Sequence, residues 1–251
     1  WGTQSDMFSV PTTLDFATGD ALTGTRRAQA RWEDKLGSKF MYAIGLEMLE
    51  FPGIDGGNDT IGQASQQLPL LAGRITKKTK AGGRLMVGAS VFQLRWDGLG
   101  VMPNATAIGW GFSFSGREYF GAKKHFFSWL TSYGQGWGSQ IVATVGTQSS
   151  AIVTPQGTLE TMPAWNLGGG FAFRLSNTLV ANLSYQGYSI DPSQYKEGYN
   201  MKAGQAGHVN MIWSPIKSIN TGIEFMVAQR TNVNGTQGTG RRLQLMVKYL
   251  F

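Results

Sequence analysis

Apolar and polar residues alternate through the last stretch of the chain. Leu243, Leu245, Val247, Tyr249 and Phe251 hold the odd positions, with Arg242, Gln244 and Lys248 between them. A period of two with one apolar face marks a strand buried on one side only. The split recurs upstream. In 164–175, Trp165, Leu167, Phe171 and Phe173 oppose Asn166, Gly168, Gly170 and Arg174. In 106–115, Ile108, Trp110, Phe112 and Phe114 oppose Gly109, Gly111, Ser113 and Ser115, and in 26–33, Ala28, Ala30 and Trp32 oppose Arg27, Gln29, Arg31 and Glu33. The stretch 85–96 is apolar in both phases, Leu85, Val87, Ala89 and Val91 against Phe92, Leu94 and Trp96, which predicts a bulge that switches the phase.

Extended along the chain, the pattern predicts twelve strands and no helix: 2–10, 26–33, 40–50, 68–77, 85–96, 106–115, 126–145, 164–175, 179–190, 201–213, 219–230 and 241–251. The connections sort by length. Those at 34–38, 78–83, 116–124, 176–178 and 214–217 are mostly short. Those at 11–25, 51–67, 97–105, 146–163, 191–200 and 231–240 are longer and rich in Gly, Asn, Pro and Ser. Short turns on one side and long loops on the other are the arrangement of an outer-membrane β-barrel. The competing fold, a soluble Greek-key sandwich, has no reason to sort its loops. The fold class predicted is all-β, an antiparallel transmembrane barrel forming a single domain over 1–251. Aromatic residues gather near the short-turn ends (Trp32, Phe40, Phe127, Trp129, Phe173, Trp213, Tyr249), with a looser group (Trp96, Trp165, Tyr185) towards the other end, as interfacial girdles would.

Composition narrows the function classes. The 251 residues include 35 Gly and no Cys, and only 15% are charged. No run approaches the ~18 apolar residues of a membrane-spanning helix. The chain opens on Trp1-Gly2-Thr3 in what reads as a strand, as expected of a processed chain or a portion of a longer one. The net charge of +7 is spread along strands, apart from Lys77, Lys78 and Lys80, so no basic run marks a nucleic-acid groove. Catalysis finds little support. His125 reads as a solvated turn residue, and His208 shares an inward face with Asn210 and has no marked Ser partner. No spacing of His or carboxylates predicts a metal site, no cofactor is implied, and Gly168-Gly169-Gly170 lies within a strand rather than at a strand–helix junction.

The opening Gly2-Thr3-Gln4-Ser5-Asp6-Met7-Phe8, the following Val10-Pro11-Thr12-Thr13-Leu14-Asp15-Phe16 and the stretch Arg26-Arg27-Ala28-Gln29-Ala30-Arg31-Trp32 resemble the DcaP-like porins. The turn Ala81-Gly82-Gly83-Arg84 is compatible with that family and far less specific. The resemblance implies a trimeric, sixteen-stranded outer-membrane porin, bathed in membrane lipid and lipopolysaccharide, that admits small anionic solutes such as dicarboxylates. This chain departs from the pattern by lacking about four N-terminal strands, which would place 11–25 where trimeric porins carry the loop that narrows the pore. Leu14, Asp15, Phe16 and Asp20 are then the constriction residues, since Leu and Phe two positions apart favour burial against an inner wall. Contact with a neighbouring protomer would use the same residues.

An Arg facing mid-bilayer lipid costs ~2–4 kcal/mol, so the polar phase of each strand should face the lumen. That assigns Arg27, Arg31, Arg74, Arg174, Arg230, Arg242 and Lys248 to the pore, with Glu33, Glu47 and Glu224 as counter-charges. Cationic walls concentrate anions, and the guanidinium fork fits carboxylates. For any one of these residues, cross-strand pairing that holds the barrel shape is the alternative role. At the level of the whole chain the alternatives are a structural or adhesive barrel whose extracellular loops bind a partner, and a protein-handling barrel.

Overall fold

The structure, a computed structural model, describes residues 2–4, 7–14, 23, 27–49, 51–59, 61–100 and 102–250. Its strands are β1 (Gln29–Leu36), β2 (Phe40–Glu47), β3 (Ile54–Asp55), β4 (Gln63–Ser65), β5 (Leu70–Lys78), β6 (Arg84–Asp97), β7 (Ala105–Phe120), β8 (His125–Gln135), β9 (Ala151–Val153), β10 (Leu159–Thr161), β11 (Pro163–Arg174), β12 (Leu179–Ile190), β13 (Met201–Ile216), β14 (Ile219–Asn232) and β15 (Gln237–Tyr249). Eleven of them form one antiparallel meander, β1-β2-β5-β6-β7-β8-β11-β12-β13-β14-β15, and β4 completes a twelve-stranded sheet by pairing with the far end of β6. Strands β1 and β15 are its edges, and no pairing joins them among the described residues.

Several expectations need correction. The segment 2–10 is not a strand of the wall. Its described residues, 2–4 and 7–10, hold a turn and a 3₁₀ turn at Met7–Ser9 and lie against one face of the sheet. The twelfth strand is instead the short β4. No bulge interrupts β6, whose register with β5 and β7 is continuous; its outward Val87 and Val91 are bare, and its inward Phe92, Leu94 and Trp96 are buried in an apolar cluster. The strand expected over 126–145 ends at Gln135 and gives way to 3₁₀ turns at Gly138–Gln140 and Val142–Thr144. His125 is no turn residue; it begins β8, and its ring lies 5.4 Å from that of Phe120.

The sorting of connections is sharper at one point than the sequence predicts and weaker at another. Strand β7 runs on to Phe120, so its turn to β8 is only 121–124, closed by left-handed backbone at Gly121, Ala122 and Lys123 (φ 58°, 55° and 66°). Conversely, the expected long loop 231–240 shrinks to 233–236, because the Gly-rich 237–240 pairs with β14.

The two faces of the sheet differ completely. The inner face is covered by residues 2–4 and 7–14 and, at the long-loop end, by the described residues of the loops 48–69 and 136–162. There Leu49, Leu70, Phe92, Leu94, Trp96, Trp137, Ile141, Met162, Ala164 and Ile190 form a buried apolar cluster. The small sheet β10-β9-β3, parallel between β3 and β9, ties the two loops together. The outer face carries bare apolar side chains on every long strand, among them Trp32, Ile44, Ile75, Val87, Phe112, Leu167, Leu183, Val209, Phe225 and Leu245. Trp165, Phe171 and Phe173 lie exposed on it, as the alternation requires. Rings bracket this face. Trp110 and Tyr133 meet at 6.1 Å near the long-loop end, while Phe127 and Phe171 (4.6 Å) and Phe120 and Phe173 (6.3 Å) meet nearer the turns. Contiguous apolar surface on this scale is foreign to water-soluble monomers; its solvent is the membrane interior.

Val209 sits in the middle of the bare face, opposite Leu183 and Phe225. Val209→Arg should cost about 2–4 kcal/mol in denaturant titrations of the protein in lipid vesicles, while Val209→Leu should be nearly silent. Equal stability of the two variants would contradict a lipid-facing wall.

Candidate functional site

The inner face is built from small and polar residues because other chain lies on it. Ser90, Ser113, Ser128, Ser132, Asn166, Asn182, His208, Asn210 and Glu224 are all buried. Two glycines show how close the approach is. A Cβ on Gly88 would stand 2.9 Å from the carbonyl oxygen of Gln4, and one on Gly222 would stand 2.7 Å from the Leu14 side chain. Residues 2–4 and 7–14 therefore lie along the inner wall, between β2 and β14.

Two buried carboxylates hold this segment. At one end Glu47 accepts the backbone N–H of Thr3 and pairs with Arg27 at 3.4 Å, the two side chains being 0% and 2% exposed. Arg27 also donates to Gln140 Oε1 (2.8 Å), which accepts from Gln4 as well (3.2 Å). Glu47 thus holds Thr3 and Arg27 at one point of the wall. At the far end Glu224 accepts the N–H of Leu14 (2.9 Å) and the Asn210 amide (2.9 Å), with His208 Nδ1 at 3.4 Å and Arg242 at 3.7 Å. Asn210 also donates to the Thr12 carbonyl (2.9 Å) and accepts from Asn182 (2.7 Å).

Two intermediate contacts complete the path. Phe8 lies between guanidinium groups, with Arg84 and Arg117 4.8 and 4.7 Å from its ring centre, and Arg117 donates to the Val10 carbonyl (3.1 Å). Further on, Thr23 donates towards Ser132 (3.0 Å) and Asn166 (3.2 Å) and bridges to Ile141.

The other candidate residues are distributed along the wall. Arg31 and Arg74 share Glu33, at 3.7 and 3.0 Å. Arg174 and Lys248 stand exposed near the turn end, and the Arg174 backbone N–H donates to His125 Nδ1 (3.1 Å). Arg230 is near the long-loop end, where it donates to Asn232 (2.8 Å) and the Tyr199 carbonyl (3.1 Å). Of the constriction residues only Leu14 can be placed; Asp15, Phe16 and Asp20 lie outside the described residues. Thr3, Gln4, Phe8, Thr12, Gln140 and Asn210 belong to the site although no pattern in the sequence gives them a role in it. The available signal was the small inward residues facing them, Gly88 and Gly222 above all.

No protein-family model and no curated protein sequence matches the chain. Among solved structures it is similar to the outer membrane channel DcaP of Acinetobacter baumannii, with a TM-score of 0.84 and 21% sequence identity, over 99% of this chain and 70% of that one. OmpT, an outer membrane protein of Vibrio cholerae (TM-score 0.49, 9% identity, 88% of this chain and 63% of that one), and the NanC porin (0.41, 9%, 90% and 93%) are too distant to carry any argument. The resemblance read from the opening residues is therefore matched by the architecture: the chain has the fold of the DcaP channel.

Proposed function

We propose that this chain forms most of the wall of a trimeric outer-membrane porin, closed at sixteen strands, that passes small hydrophilic anions such as dicarboxylates by diffusion. The observation that carries the reading is the contrast of the two faces. A bare apolar exterior backs a polar interior along which a segment is pinned by two buried carboxylates. Open sheet edges are not tolerated in hydrocarbon, so β1 and β15 need strand partners in the membrane.

The anion preference follows from where the inner charges go. Glu47 and Glu224 are 1% exposed and spend their charge on backbone amides and on Arg27 and Arg242, so they present little to a passing solute. Arg31, Arg74, Arg174, Arg230 and Lys248 remain towards the open interior, with Glu33 the acid among them. Cationic groups on a low-dielectric wall raise the local anion concentration. In this reading the inward segment is the constriction, and Asp15 and Asp20 keep the role that the sequence suggests for them, acids facing a basic wall.

Three outcomes follow. Reversal potentials in a salt gradient should show anion preference, reduced by Arg31→Glu, Arg74→Glu and Arg230→Glu together; cation preference in the unmodified protein would refute the reading. A channel with no conductance would favour a structural or adhesive barrel instead. Deleting Thr12 to Gly19 should raise single-channel conductance if the segment narrows the pore, and unchanged conductance in an assembled oligomer would remove it from that role. Glu47→Ala leaves Arg27 buried without its carboxylate and should cost about 3–5 kcal/mol in denaturant titrations, with Glu47→Gln intermediate because it keeps an acceptor for Thr3.

A further inference from the structure

The outer face has a second chemistry that a channel does not use. Near the long-loop end, the ring row Trp110, Tyr133 and Trp165 gives way on β12–β15 to side-chain amides. Tyr185 donates its hydroxyl to Gln205, Gln205 donates to Gln229 (2.7 Å), and Gln229 donates to Gln237 (3.0 Å). The row lies on the outward phase: Gln205 and Gln229 are directly opposed, and Val209, Phe225 and Leu243 follow on the same face below it. Thr239 stands opposite Gln229, and exposed Arg241 lies between Thr239 and the first lipid-level residue, Leu243. Every donor in the chain points towards β15, so each bond polarises the next, and the amide of Gln237 is left as the terminal donor. Each glutamine also keeps a second N–H for an outside acceptor.

Apolar side chains fill the strand below this row and interfacial rings continue it sideways, so the row sits at the headgroup level of the leaflet on the long-loop side. A boundary that needed only amphipathic character would carry more Trp and Tyr. A rim of N–H donors with one guanidinium is suited to ligands rich in hydroxyl and phosphate oxygens. The geometry points to a binding site for the phosphorylated sugar headgroup of an outer-leaflet glycolipid, lipopolysaccharide, with Gln205, Gln229 and Gln237 taking sugar oxygens and Arg241 a phosphate. The acyl chains would run down past Gly207, Val227 and Leu243. This rests on the outer-membrane reading above.

The test compares full-length protein with Arg241→Glu/Gln229→Leu and Arg241→Lys variants, extracted from outer membranes in mild detergent. Lipopolysaccharide per protomer is read by native mass spectrometry and phosphorus content. The double variant should retain about tenfold less, Arg241→Lys should fall between, and conductance and heat-modifiable mobility should not change. Rebinding should occur from vesicles containing lipopolysaccharide and not from phosphatidylethanolamine–phosphatidylglycerol vesicles. Equal retention by all three proteins would overturn the site. Displacement by millimolar inorganic phosphate would show an adventitious anion contact and overturn it too, and loss of the oligomer in the double variant would assign the row to a second copy of the chain. A protein that never inserts into membranes would sink the outer-membrane reading itself, an outcome visible before any lipid is counted.

Discussion

A carboxylate inside a membrane-embedded wall costs several kcal/mol unless it is paired and its lone pairs are filled. Glu47 and Glu224 meet that demand in the same manner, by taking a backbone N–H from the inward segment together with an arginine. The rest of the interior is arranged around this pair of anchors. Because the segment must reach both, the columns it crosses are small, with Gly88 and Gly222 leaving no room for a Cβ. Because it stays on the wall, Ser113 and Asn210 can satisfy the carbonyls of Gln4 and Thr12 (each 2.9 Å). The same geometry explains why Arg27 and Arg242 differ from Arg174 or Arg230: their charge is committed to holding chain.

The exterior obeys a simpler constraint. Between its two edge strands the sheet uses its backbone groups in strand pairing, so there the side chains alone negotiate with lipid, and they do so in horizontal zones. Aliphatic residues fill the middle, rings mark the turn end, and the long-loop end changes from rings on β7, β8 and β11 to hydrogen-bonded amides on β12–β15. The interior and exterior are separately solved because successive side chains point to opposite faces. The two are coupled only where a strand is apolar on both sides, as β6 is, and there the loops fold inward to cover the second apolar face.

Most of the wall was legible in the alternation. Strands such as β11, β12 and β14 were placed within a few residues of their bounds, because one face is in lipid and the other is polar, the condition under which a period of two is readable. The failures share a cause. A segment lying on an inner wall buries one side just as a strand does, so 2–10 imitates a wall strand. The apolar run from Trp137 to Val145 reads as the continuation of β8, yet it is packing for the loop core. Gly238 and Gly240 look like loop composition, but the absence of a side chain says nothing about backbone pairing, and they continue the ladder with β14. Of the site, Arg27, Arg242 and both carboxylates were visible as polar residues in an inward phase. Their partners were not, since contacts such as Leu14 with Glu224 or Gln4 with Gln140 join positions far apart in sequence and leave no local period.

The charge distribution then follows from this division of labour. A polar interior could have been made neutral by pairing each arginine with an acid across neighbouring strands, which would stabilise the wall and abolish its field. Here the deeply buried acids are placed where backbone amides need them, at Glu47 and Glu224, and Arg31 and Arg74 share Glu33. Arg174, Arg230 and Lys248 stand exposed, outside these buried pairs. Acids recruited as anchors hold the inward chain, and the same carboxylates are then not available to neutralise arginines elsewhere on the wall.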